Sequence, residues 1–155
     1  MINRRRLTFL MALLVLVLSL VFASAVLAAS NTRDQLVAGL VGAKEVPGPG
    51  DPDGWGNATI WLNVHKQTVC WELSAEDIEP ATAAHIHAGT SDVAGPVVVA
   101  LSPPTTGWSE GCATNVDKAL IRDIIRHPHK YYVNVHNAEY PAGAIRSQLR
   151  MASDN

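Results

Sequence analysis

Apolar residues recur at every second position along much of this chain. Ala58, Ile60, Leu62 and Val64 form one such series, and Val69, Trp71 and Leu73 form another. A period of two places a series on one face of a pleated strand. The short His65-Lys66-Gln67 link between the two series predicts a hairpin. Residues 36–41, 81–88, 96–101, 131–136 and 143–149 read as further strands. The unbroken run Val97-Val98-Val99-Ala100-Leu101 predicts a strand buried on both faces. Only residues 115–126 carry a helical period, with Ala119, Ile121, Ile124 and Ile125 as an apolar stripe. Asn115 is the expected cap, and Pro128 ends the segment. The stretch 45–56 is rich in Pro and Gly and predicts a solvated loop. Its Asp51 and Asp53 lack the spacing and the closing Glu of a calcium loop. No internal repeat is visible. Many short strands, Gly/Pro turns and one short helix predict an all-β domain over residues 35–150, an antiparallel β-sandwich or Greek-key barrel.

The first segment has a different character. Arg4, Arg5 and Arg6 precede an almost unbroken apolar run over residues 7–27, and small residues follow. This is the pattern of a signal peptide, residues 1–28, cleaved after Ala28. The run is also long enough to serve as an uncleaved membrane anchor. Either way the domain is placed outside the cytoplasm, as a secreted, periplasmic or cell-surface protein. Removing residues 1–28 leaves nine Lys and Arg against fourteen Asp and Glu, a net charge of −5. Without a basic cluster, nucleic acid is disfavoured as a partner. In an exported chain the two cysteines, Cys70 and Cys112, predict one disulfide with Cα atoms about 5.5 Å apart. The alternative is a pair of thiolate metal ligands, which their wide spacing disfavours.

Candidate chemistry concentrates in two strand-like runs, His85-Ile86-His87 and Tyr132-Val133-Asn134-Val135-His136. Alternation puts His85 and His87 on one face, and Tyr132, Asn134 and His136 on one face. Three imidazoles on neighbouring strands make a site for copper or zinc. The competing reading makes them structural residues, each bonded to a loop carbonyl or carboxylate. Asn134 is a candidate to orient a histidine from behind, or else an amide that caps a turn. Arg146 is expected to pair with a buried carboxylate, Glu45 or Glu72. His65, His127 and His129 are expected at the surface. Trp71 reads as core, while Trp55 and Trp108 read as loop residues able to present an apolar or sugar-stacking surface. No serine elbow and no placed carboxylate pair argues for a hydrolase.

Four ordered motifs give the chain a resemblance to the chordin-domain (CHRD) family. They are Glu45-Val46-Pro47, His85-Ile86-His87-Ala88-Gly89, Gly95-Pro96-Val97-Val98, and the run from Tyr132 through Tyr140-Pro141-Ala142-Gly143-Ala144-Ile145-Arg146-Ser147-Gln148-Leu149. The resemblance covers about residues 36–149. Two departures stand out: the family's usual glutamate before the isoleucine is Ala144 here, and its usual glycine after the arginine is Ser147. The resemblance implies an extracellular all-β domain and names no reaction. The leading expectation is therefore a non-enzymatic binding or adhesion module whose partner is an extracellular protein or a glycan. The alternative is a copper- or zinc-binding protein using His85, His87 and His136, with redox activity of the superoxide dismutase kind.

Overall fold

The computed structural model describes residues 34–152. The expected signal peptide or anchor, residues 1–28, lies outside the described residues. Among the described residues no helix is long and apolar enough to cross a membrane.

The elements are β1 (Asp34–Val41), β2 (Trp55–Asn63), β3 (Thr68–Glu76), β4 (Ala83–Ala88), β5 (Val97–Leu101), β6 (Trp108–Ala113), α1 (Lys118–Arg126), β7 (Tyr131–His136), β8 (Ile145–Gln148) and β9 (Arg150–Met151). A 3-10 turn, Gly42–Lys44, follows β1, and another, Pro128–Lys130, precedes β7. The strands form one antiparallel sheet in the order β5-β4-β7-β8-β1-β2-β3-β6, with β9 added beside β1. The sheet curls into a nearly closed barrel or sandwich. Across its seam the Ser109 hydroxyl of β6 donates to the Ser102 carbonyl just past β5, at 2.7 Å. The expected all-β class with one short helix is the class observed.

The period-two residues point inward as read. Leu36, Ile60 and Trp71 lie side by side in register across β1, β2 and β3, and all three are buried. Ile121 and Ile124 of α1 are fully buried and join the same core.

Five local expectations are corrected. The continuous apolar run of β5 belongs to an edge strand, with Val99 and Leu101 buried but Val97 50% exposed. Helix α1 begins later than expected, and its cap is Asp117, whose carboxylate accepts from the Ala119 N–H at 2.7 Å. Asn115 instead sits at φ +58, a left-handed conformation that Asn tolerates. Trp55 and Trp108 open β2 and β6 rather than lying in loops, although both are exposed. The stretch 45–56 is not simply solvated. Glu45 and Asp51 are buried, and the Asp51 N–H donates to the Ala144 carbonyl at 2.9 Å. Finally, β6 was not foreseen. Its inward positions, Ser109, Gly111 and Ala113, face Leu73, Trp71 and Val69, and carry almost no apolar bulk of their own. The Trp71 ring fills that space, and a Cβ on Gly111 would lie 2.6 Å from its Cζ2.

Cys70 and Cys112 are bonded to each other. They are direct cross-strand partners on β3 and β6, so their Cα atoms are 3.9 Å apart, closer than the expected 5.5 Å. The bridge fastens edge strand β6 to β3 across a sequence separation of 42. On the chain-entropy account a loop of that length stabilises the fold by about 4 kcal/mol. Urea unfolding of a Cys70→Ser/Cys112→Ser chain should show a loss of that order. Thiol labelling of the oxidised, denatured protein should find no free cysteine, and two labelled thiols per chain would contradict the pairing.

Candidate metal centre

Strands β4, β7 and β8 divide their residues cleanly between two faces. Ala84, Ile86, Val133, Val135 and Ile145 point inward and are fully buried. The opposite face carries His85, His87, Tyr132, Asn134, His136, Arg146 and Gln148. Register fixes their order: His85 faces Asn134, which faces Arg146, while His87 faces Tyr132, which faces Gln148. The 42–54 segment and the 89–96 loop lie on part of this polar face, through bonds to Asn134, His87 and Arg146, and leave His85 and His136 partly exposed.

The three histidines expected as ligands come together. One ring nitrogen from each lies within 4.8 Å of the other two. His85 Nδ1 and His136 Nε2 are 3.2 Å apart. In a tetrahedral zinc site with bonds of about 2.0–2.1 Å, neighbouring ligand nitrogens are roughly 3.3 Å apart. The His85–His136 pair already has that spacing, and His87 closes the set with a shift of order 1 Å.

The hydrogen bonds fix the tautomers. His87 Nδ1 is 2.9 Å from the Gly95 carbonyl, which only accepts, so Nδ1 carries the proton. Its Nε2 is then a lone pair, buried and without a hydrogen-bond partner. His136 Nδ1 likewise donates to the Pro141 carbonyl at 3.2 Å, which turns its Nε2 into a lone pair facing His85. Metal-ligating histidines show this arrangement, with the far N–H held by a backbone carbonyl. His85 donates through Nδ1 to His136 in the metal-free state; moving that proton to its own Nε2 would free the third lone pair. Burial lowers the pKa of each of the three from the usual imidazole value. The neighbouring imidazole charges push the same way for His85 and His136, and the Arg146 charge does so for His87. All three are therefore neutral, and competent as ligands, at pH 7.

Asn134 does not orient a histidine. Its amide donates to Glu45 Oε2 at 3.1 Å. Arg146 is buried, 1% exposed, but bridges neither of the carboxylates expected for it. Glu72 is exposed on β3, opposite Glu110. Glu45 is close enough for the Arg146 charge to lower its pKa, yet among the described residues no ion pair joins them. The guanidinium instead donates through Nη2 to the carbonyls of Thr90 and Val93, at 2.8 and 3.0 Å. It also lies over the Tyr132 ring, 3.5 Å from the centroid. The same ring stacks on His87, with centroids 4.8 Å apart and planes 9° apart. Since β7 runs between β4 and β8, histidine and arginine reach the ring from its two flanking strands.

Loop carbonyls behind the imidazoles were expected only under the structural reading, and which ones was not read from the sequence. The carbonyls of Gly95 and Pro141 hold two of the imidazoles, and a backbone acceptor has no signature in residue type. Gly95 itself is required, because a Cβ there would collide with the Ala88 carbonyl. His65 and His129 are exposed as expected; His127 is half-exposed and pairs with Asp123 at 2.9 Å.

The CHRD domain family matches residues 36–149. The chain belongs to the CHRD domain family. That membership, with the disulfide, marks it as an extracellular-type module. No curated protein and no solved structure matches the chain. This CHRD domain also departs from the family's usual glutamate, and Ala144 stands there, fully buried.

Glu45 is the titratable group under most stress in this layer. Burial pushes its pKa up to about 7, against the lowering effects of Arg146 and of the Asn134 hydrogen bond. A folded-state pKa raised above the unfolded value gives stability that is fully present below pH 4.5 and is lost as pH rises to about 7. Across that window the Glu45 contribution to the unfolding free energy, read from urea titrations, should therefore fall with rising pH by on the order of 3 kcal/mol. In Glu45→Gln that falling contribution should be absent, leaving the rise with pH that the lowered pKa values of His85, His87 and His136 supply. Parallel profiles for the two proteins would refute the assignment.

Proposed function

We propose that this CHRD domain is an exported module that binds one copper or zinc ion through His85, His87 and His136. One observation carries the reading: His87, whose buried Nε2 has no hydrogen-bond partner, brings a ring nitrogen within 4.8 Å of those of His85 and His136, which already face each other at 3.2 Å. A buried polar atom without a partner costs about 1–3 kcal/mol, and a metal ion would remove that cost at His87. Three neutral imidazoles suit copper and zinc better than calcium or magnesium, which take oxygen ligands. Three protein ligands also leave a fourth position for water or a small molecule, the arrangement of sites that act on what they bind. Export rests on the apolar segment at residues 7–27, whether it is cleaved after Ala28 or kept as an anchor.

Titration calorimetry of the purified protein with Zn(II), and separately with Cu(II), should give one site per chain near neutral pH. Affinity should fall as pH drops through the lowered pKa values of the three imidazoles, on the acid side of their usual range, since protons and metal compete for the same nitrogens. His87→Ala should weaken binding at least a hundredfold, and Gly95→Ala, which disturbs the carbonyl behind His87, about ten- to a hundredfold. His129→Ala, beyond the helix, should change nothing. Equal losses in His87→Ala and His129→Ala, or no saturable binding, would leave the histidines structural and the domain an adhesion-type module.

A further inference from the structure

We infer that the cavity lined by Lys44, Glu45, Ser91 and Arg146 is a binding site for a small oxyanion, a carboxylate or phosphate-type group, with the Arg146 guanidinium as its charge partner. This site does not rest on the metal reading.

A buried guanidinium needs a counter-charge, because an isolated ion in a low-dielectric interior costs several kcal/mol. Arg146 is 1% exposed, and among the described residues it has no ion pair. Its Nη2 bonds are to neutral carbonyls, and its Nη1 has no partner at all. The carboxylate in the same wall, Glu45, is half-protonated near pH 7, and its Oε1 is also buried and unpartnered. The other carboxylate whose pKa Arg146 lowers, Asp92, is exposed and accepts from the Thr90 hydroxyl. Neither acid neutralises the buried charge in its unliganded surroundings.

Space for a ligand exists beside these groups. The cavity measures about 380 Å³ and is lined by Ala43, Lys44, Glu45, Ser91, Arg146 and Gln148 among others. That is at the lower end of small-molecule sites. Lys44 adds a second positive charge at the mouth, held by the Ser147 hydroxyl at 2.8 Å. An oxyanion here would sit beside the Lys44 and Arg146 charges; Arg146 Nη1 lies buried just beneath the cavity wall and would donate to it after a small shift of that wall, and Glu45 would add a second bond once that acid is protonated. The ligand class is therefore small and anionic, and excludes cations and bulky apolar groups.

Proton linkage gives the site its signature. The groups facing Glu45 are Arg146 from β8, Asn134 from β7 and Lys44 from its own turn, with His87 further away across Tyr132. Burial raises the Glu45 pKa to about 7, and an ionised Glu45 repels an anion. Affinity should fall as pH rises through about 7.

The test is a titration of the full chain with sodium acetate and with inorganic phosphate. A neutral phenanthroline chelator is present throughout, so that no bound metal contributes. Binding is read from the NMR signals of the Arg146 guanidinium and from the unfolding midpoint in urea. Saturable one-to-one binding is expected with either anion; for acetate, which stays ionised throughout, it should weaken by up to about tenfold for each pH unit above 7. Glu45→Gln should bind acetate at least as tightly as wild type, with no pH dependence in that range. Ser91→Trp puts a large side chain into the cavity lining and should lose binding at least tenfold; its anion-free urea midpoint, measured alongside, separates loss of the site from loss of the fold. Wild-type affinity in Ser91→Trp, or no saturable shift with either anion, would overturn the site. Preference between acetate and phosphate would identify which oxyanion shape it takes.

Discussion

The guanidinium of Arg146 holds the functional face together. Its bonds to the Thr90 and Val93 carbonyls fix the 89–96 loop against the outside of β4, β7 and β8. Gln148, two residues on and on the same face, adds a bond to the Gly89 carbonyl at 2.9 Å. The fixed loop presents the Gly95 carbonyl to His87, and the Gly95 N–H to the Tyr132 hydroxyl at 3.0 Å. The tautomer of a histidine on β4 is thus set by an arginine two strands away. Removing the arginine would release the loop, unstack Tyr132 and free the His87 ring to turn, so its loss would be felt well beyond its own contacts.

The scaffold beneath makes that chain of contacts rigid. The histidines stand on strands whose other faces are locked in the core, and side chains on packed strands are held more tightly than side chains on loops. The same strands that supply Ala84, Ile86, Val133 and Val135 to the interior supply His85, His87 and His136 to the site. A one-residue slip of β7 against β4 would exchange the two sets, burying imidazoles in the core and exposing valines. The apolar face therefore selects the register that assembles the site.

How much of this was legible follows from where the information sits. Alternation at Ala58, Ile60 and Leu62 announces a strand because half its residues face a core, and His85-Ile86-His87 announces a shared face for the same reason. Pairing between β4 and β7 needs no motif once both faces are marked. Strand β6 gave no such sign, since Trp71 of its neighbour fills the space beneath Gly111. The burial of Glu45 was invisible too. A Pro/Gly-rich segment reads as exposed, yet Gly50 and Gly143, lacking side chains, are what allow it to lie down on the sheet with the Glu45 carboxyl against them. Arg146 was read as the partner of a carboxylate because a buried cation generally has one. Its actual partners, two loop carbonyls and a ring face, carry no charge and leave no trace in composition.

Four of the five buried side-chain polar atoms without a partner among the described residues are in this one layer: Glu45 Oε1, His87 Nε2, Asn134 Oδ1 and Arg146 Nη1. At about 1–3 kcal/mol each, such atoms are a large fraction of a domain's net stability. The opposite face of the same strands is built from alanine, valine and isoleucine, so apolar packing was available to this sequence and was not used here. The positive charge of Arg146 already lowers the pKa of His87, and the same repulsion acts on a divalent cation at His87 Nε2. An anion beside Arg146 offsets it. Were both sites filled, each ligand would tighten the other by the same factor. The stacked Tyr132 ring, set between histidine and arginine, separates the two charges while keeping them within range of each other.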